Sequence, residues 1–290
     1  MSLNFDFETF CDHAAHGRLA DVQQMLESGE LQGYGNLNEA LLQAAQNSHV
    51  DVVDYLLRHG VCDPSADDNR AIRQAAMDGH FAVVDRLLQD KRVDPSACYN
   101  QSVKWASHFG HLAVVERLLR DERVDPSANN NYAVRLAAEC GHLAVVDRLL
   151  QDVRVDPSAD DNYAVRQAAG NGHLAVVDRL LRDVRVDPSA RDNYAVRSAV
   201  ENGHVAIVDR LLEDNRVDVA VAIRHTRPEH RKRFECRERL TEICIALQDL
   251  ALPAWVTVQI LDAARPWSTL PLHSKWNLVC AVKHYHDKKQ

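Results

Sequence analysis

Apolar and small residues return to the same places every 31 residues through most of this chain, separated by stretches that are almost wholly polar. In the best-formed stretch they fall in two groups. The first, Ala164, Val165, Ala168 and Ala169, occupies one face of a helix. The second, Leu174, Val177, Leu180 and Leu181, repeats at i, i+3, i+6 and i+7 and predicts a second helix of about nine residues with that face inward. Gly172, between the groups, suits the left-handed residue that ends a helix. Asn162 stands in N-cap position ahead of the first helix, as Asn38, Asn69, Asn100, Asn131 and Asn193 do in their own stretches. A Val-Asp-Pro-Ser-Ala segment follows the second helix. Its proline pushes the preceding Asp into an extended shape, so the chain turns there.

The register is regular. Gly79, Gly110, Gly141, Gly172 and Gly203 are each followed by His, and stepping back by the same interval reaches Ser48 and then Gly17. Seven units result, near 4–34, 35–65, 66–96, 97–127, 128–158, 159–189 and 190–220. One helix pair cannot cover its own apolar side, but stacked on its neighbours it can. A fixed period of this size predicts an all-α helical solenoid over residues 1–220 rather than a globular domain. Nothing in that architecture calls for a reaction.

At these residues the chain resembles the ankyrin-repeat family. The family pattern T-P-L-H-x-A-A-x-x-G-H, with a V-x-x-L-L helix after it, maps onto Tyr163 to His173 and onto Val176 to Leu181. Two departures stand out. Tyr163 and Arg166 replace the family's threonine and histidine, and the unit is shorter than the usual 33 residues. The missing pair falls where a hairpin finger normally protrudes, which implies blunt turns. The "RVDPSA" variant also resembles repeats from giant viruses and the amoebae they infect.

The resemblance implies a concave surface that binds partner proteins, formed by the positions that vary between units. One such position carries Gln43, Gln74, Trp105, Leu136, Gln167 and Ser198 in turn. The fourth unit differs most, with Tyr99, Trp105, His108 and Phe109 where its neighbours are mostly polar. Large aromatics on such a surface are good anchors. The candidate partner-binding residues are therefore Met77, Tyr99, Trp105, His108, Phe109, Tyr132, Leu136 and Glu139. The alternative has Trp105 and Phe109 packed against Lys104 or the next unit. The repeated Asp147-Arg148 and Asp178-Arg179 pairs read as charge ladders on the opposite side, each exposed pair worth about 0–1 kcal/mol. The Gly-His histidines read as loop braces rather than metal ligands, since no second ligand recurs beside them.

Charge separates the chain into two parts. Residues 222–290 hold 12 Lys/Arg against 7 Asp/Glu, while the whole chain is at −8, so the repeats are strongly acidic. That argues against a nucleic-acid binder. Seven cysteines without a CxxC pair are expected as reduced thiols. With no signal sequence, lipidation motif or membrane-length apolar run, the expectation is a cytoplasmic monomer (host cytoplasm if the origin is viral). No Walker loop, GxSxG, HExxH or kinase set is present, so neither catalytic residues nor a cofactor is expected. The His-x-His-Asp at His284–Asp287 is a weak metal motif, and no metal site is assigned.

After Asp218 the pattern breaks. Residues 228–250 read as a charged helix beginning at Pro228, with Glu229–Arg233 and Glu235–Arg239 at i, i+4. Two further helices are expected near 254–264 and 273–287. Residues 221–290 can serve as the helical cap that a solenoid needs. Leu252, Pro253, Val256, Ile260 and Leu261 also resemble the first part of an F-box, although Val279-Cys280 falls late for that family and its Trp is absent. The reading is a non-enzymatic protein-interaction scaffold. The alternative is a substrate-recognition adaptor of a cullin ubiquitin ligase that uses those five residues.

Overall fold

A computed structural model describes residues 3–29, 31 and 37–217. The chain divides into two units, Met1–Asp218 and Val219–Gln290. The segment resembling an F-box and the His284–Asp287 motif lie outside the described residues.

Helices come in pairs. The first members are α1 (Leu3–Ala15), α3 (Asn38–Gln46), α5 (Ala66–Met77), α7 (Ala97–His108), α9 (Ala128–Glu139), α11 (Ala159–Gly170) and α13 (Ala190–Glu201). The second members are α2 (Leu19–Ser28), α4 (Val50–His59), α6 (Phe81–Leu87), α8 (Leu112–Leu118), α10 (Leu143–Leu149), α12 (Leu174–Leu180) and α14 (Val205–Leu211). Each first helix packs on the first helix of the next unit and each second helix on the next second one, giving two helical layers. No strand occurs among the described residues, so the links between units are blunt turns without hairpin fingers.

The first-helix face is as expected: Ala164, Val165, Ala168 and Ala169 are fully buried. The second-helix face needs correction. From α6 onward these helices span seven residues rather than nine, as in Leu174–Leu180. Val176, Val177 and Leu180 are buried, while Leu174 is 36 % exposed and Leu181 lies past the helix end at intermediate exposure. With only two turns, the helix opens too close to its loop for its first residue to reach the core. The leucines at Leu87, Leu118, Leu149, Leu180 and Leu211 form one fully buried column.

The asparagines are not N-caps. Each first helix from α5 to α13 contains three consecutive left-handed residues near its start, as in Asp160 (φ 57°), Asp161 (53°) and Asn162 (61°). Left-handed backbone costs an ordinary residue roughly 1–2 kcal/mol, less for Asn and Asp. The Asn side chain turns this geometry to use. Its Oδ1 accepts the backbone N–H of the Asp in the following Asp-Pro turn: Asp94 on Asn69, Asp125 on Asn100, Asp156 on Asn131 and Asp187 on Asn162, all at 2.7–2.8 Å. That Asp takes over the capping. Asp156 Oδ1, for instance, accepts the N–H and hydroxyl of Ser158 at 2.9 and 2.7 Å. The asparagine is therefore a buried brace between turns.

The expected histidine braces are present. Nε2–H donates to a carbonyl 34 residues earlier, from His111 to Met77 at 3.0 Å, His142 to His108 at 2.9 Å and His173 to Glu139 at 3.0 Å. The imidazole lies against the preceding unit's glycine, so a Cβ on Gly79 would sit 2.6 Å from His111 Nδ1. Together with its φ of 78°, that close approach accounts for glycine at this position.

Arg–Asp pairs close the other side. Arg86 meets Asp54, Arg117 meets Asp85, Arg179 meets Asp147 and Arg210 meets Asp178 at 2.5–2.6 Å, each across a unit boundary. A second clasp lies within each turn. Arg154 holds both oxygens of Asp152 at 2.9 and 2.7 Å and sends Nη1 to the carbonyl of Val124 at 3.2 Å.

Candidate functional site

The layer of first helices carries the variable positions, and the fourth unit sets the geometry there. Trp105 and His108 on the last turn of α7 and Phe109 just past its end stand one to four residues apart, which brings their rings together. The Trp105 and His108 centroids are 5.7 Å apart, edge to face; His108 and Phe109 are 4.7 Å apart, also edge to face; Trp105 and Phe109 are 6.2 Å apart. His111 extends the cluster, its ring 6.3 Å from Phe109. Phe109 is 47 % exposed, and Trp105 and His108 are half-buried. Across the unit boundary Cys140 Sγ lies 3.4 Å from His108 Nδ1.

The other candidate residues distribute around this cluster. Tyr99, in the left-handed turn that opens α7, is 78 % exposed and is the most exposed aromatic among the described residues. Met77 is half-buried and offers its carbonyl to His111. Leu136, expected to look outward beside Trp105, is buried at 8 % exposure and presents little surface. Glu139 is tied into its neighbour, accepting the Tyr163 hydroxyl at 3.1 Å. Burial, with that hydrogen bond, raises the Tyr163 phenol above the ordinary tyrosine range. Lys104 faces the next unit. Its ammonium sits 5.9 Å from the Tyr132 ring, and burial lowers its pKa from the usual lysine value.

Tyr132 belongs to a feature that the sequence analysis missed. Arg135 lies between the Tyr132 and Tyr163 rings at 5.4 and 4.4 Å, Arg166 between Tyr163 and Tyr194 at 5.6 and 5.2 Å, and Arg197 against Tyr194 at 5.8 Å. Rings and guanidinium groups alternate through units five to seven, within the range where cation–π attraction operates. Each arginine also reaches back into its own left-handed turn. Arg166 donates to the carbonyls of Asp161 at 2.9 Å and Asp160 at 3.1 Å, and is itself only 6 % exposed. The signal was in the sequence: Tyr163 and Arg166, read as departures from the family motif, recur together at every unit from Tyr132 on, three residues apart.

Unit four stands outside this ladder. Gln101 occupies the tyrosine position and Lys104 the arginine position, and Ser102 and Ser107 replace alanines. Both serines are fully buried and their hydroxyls have no hydrogen-bond partner.

Burial pushes Cys62 up to about 12 and Cys11 up to about 11, and it raises Cys140 as well. All four described cysteines, Cys11, Cys62, Cys98 and Cys140, are free. Among the described residues no three His, Cys, Asp or Glu gather as a metal site, and no helix is long and apolar enough to cross a membrane.

Two layers of short paired helices, stacked in register and cross-braced at every unit, define a helical-repeat protein. The family model described as "Ankyrin repeats (3 copies)" matches residues 10–98, 103–192 and 135–223, more than two-thirds of the chain, and the chain belongs to the ankyrin-repeat family. Ankyrin repeats generally mediate protein–protein interaction, and the family is typically a non-enzymatic scaffold. No curated protein matches the chain.

Proposed function

We propose that this chain is a scaffold that holds one partner protein on its layer of first helices, with the fourth unit as the anchor. The observation that carries this reading is the Trp105–His108–Phe109 ring cluster, half-open to solvent in a unit that departs from the pattern of units five to seven. Partly exposed apolar rings are where binding energy concentrates. Tyr99 and Met77 flank the cluster, Tyr132 stands one unit along and Glu139 closes the far side. Trp105→Ala should weaken partner binding by about 2 kcal/mol or more, while Gln167→Ala, two units away, should cost far less. Titration of a captured partner against both variants, with melting curves alongside, checks this. A Trp105→Ala chain that binds as the parent does would remove the anchor.

A second reading rests on sequence alone. The F-box-like run Leu252, Pro253, Val256, Ile260 and Leu261 supports an adaptor role, in which the repeats choose a target and the C-terminal segment recruits a cullin ubiquitin ligase. Pull-down with and without residues 249–290 separates the two. Loss of a cullin adaptor with other partners retained favours the second.

A further inference from the structure

We propose that the fourth unit and its junction with the fifth form a built-in hinge, the place where the stretch from unit two to unit seven opens first. Four observations meet there. Between units two and seven every junction but this one is joined by an Arg–Asp ion pair; here the positions are Arg148 and Glu116, and no ion pair joins them. On the other layer Lys104 replaces the arginine that elsewhere donates to the left-handed turn, so the carbonyls of that turn in unit four lack their guanidinium donor. The turn itself is built from Cys98 (φ 52°) and Tyr99 (φ 57°), residue types that tolerate left-handed backbone less well than the Asp and Asn of units three, five and six. The Ser102 and Ser107 hydroxyls are buried without partners in the same unit.

The junction is weakened without being cut. His142 still donates to the His108 carbonyl, and Arg154 to that of Val124. Cys140 Sγ meets His108 Nδ1 and Lys104 faces the Tyr132 ring across the same seam, but a seam without its ion pair can open locally while both flanking blocks stay folded. The ring cluster lies on the fourth-unit side and Cys140 on the fifth, 3.4 Å from His108. Opening therefore changes the shape of the candidate surface.

Hydrogen–deuterium exchange of the full chain tests the hinge and needs no partner, so its outcome is separate from that of the binding experiments. Amides of α7 and α8 are expected to exchange about tenfold faster than those of α5–α6 and α9–α12. A Ser102→Ala/Ser107→Ala/Glu116→Asp chain, which restores residues found in the neighbouring units, should bring α7 and α8 to the rate of their neighbours. Equal protection from α5 to α12 in the parent would overturn the proposal. So would a triple variant in which α7 and α8 exchange as before.

Discussion

Units five, six and seven place Tyr-x-x-Arg after a left-handed turn, as at Tyr132–Arg135, Tyr163–Arg166 and Tyr194–Arg197; unit four places Gln101 and Lys104 at the same positions, after Cys98 and Tyr99. The backbone is the same in both, down to three left-handed residues at 52–61°. What differs is how that backbone is supported. In the regular units an asparagine braces the turn and an arginine lies against the tyrosine rings while donating to that turn, through two carbonyls for Arg166 and through one 3.4 Å contact each for Arg135 and Arg197. Unit four keeps the asparagine and loses the rest. Its two buried hydroxyls alone cost about 1–3 kcal/mol each against alanine. In exchange it displays aromatic rings to solvent. Departure from local consistency beside three units that keep it is the pattern expected of a functional surface.

The largest expected effect tests the part that both regions share. Leu149→Ala removes a fully buried leucine from the column and should cost about 2–5 kcal/mol. Leu118→Ala, in unit four, should cost the same within that range, because both leucines are fully buried. Urea melts of the two variants check it. A much cheaper Leu118→Ala would mean that the core of unit four is already loose, and that its difference is not confined to the turn and the first helix.

The regular parts were legible because repetition averages out local ambiguity. The face Ala164, Val165, Ala168 and Ala169 and the histidine braces could be read from a recurring pattern, and the blunt turns from the shorter unit that the family resemblance exposes. Errors arose where one residue type serves two geometries. An asparagine ahead of a helix fits an N-cap or a left-handed brace equally well, and sequence alone does not distinguish them. Leu174 looked inward because its spacing fits a nine-residue helix; the actual helix is two turns long, which leaves Leu174 at its exposed start. The burial of Arg166 is not legible from a single unit, because it depends on the Tyr163 ring and turn carbonyls of its own unit together with the Tyr194 ring of the next. Leu136 occupies a variable position that the family resemblance turns outward, yet it is only 8 % exposed.

The next effect sharpens the contrast at the ladder. Arg166→Met keeps volume but leaves the carbonyls of Asp160 and Asp161 without donors and two rings without a cation. The expected cost is about 2 kcal/mol or more. Tyr163→Leu should cost less, since it removes ring contacts without orphaning a carbonyl. If Arg166→Met melted like the parent, the ladder would be ornament on a turn stable by itself, and the absence of arginine from unit four would explain nothing.

Smaller still, and opposite in sign, is the repair of unit four. Ser102→Ala and Ser107→Ala each remove an unpaired buried hydroxyl, so each should stabilise the chain by about 1 kcal/mol. The matched change in the other direction, Ala133→Ser in unit five, should destabilise by a similar amount. Thermal melts of the three single variants decide. Should both serine replacements destabilise, the hydroxyls are contributing to packing or hydrogen bonding that the comparison treats as absent.

The smallest expected difference between the two regions is none, at the clasp they have in common. Asp90, Asp121, Asp152, Asp183 and Asp214 are each held below the usual carboxylate range, first by the hydrogen bond from the arginine two residues on. A carboxyl whose pKa is lower in the folded chain than the unfolded value of about 3.9 adds stability that is fully present above that value. The contribution fades as pH falls through the lower folded value. The melting temperature should therefore drop as pH is taken below about 4, and Asp152→Asn should be less stable at pH 7 yet show a shallower acid limb. Asp121→Asn, in unit four, should behave alike, because its clasp with Arg123 has the same 2.7 Å contact as that of Asp152 with Arg154. Melting both variants from pH 2 to pH 7 makes the test. Parallel curves keep the peculiarity of unit four on its first helix, its turn and its junction with unit five. A shallow limb for Asp152→Asn with none for Asp121→Asn would show that the clasp of unit four is open too, and that the weakness reaches beyond the residues named here.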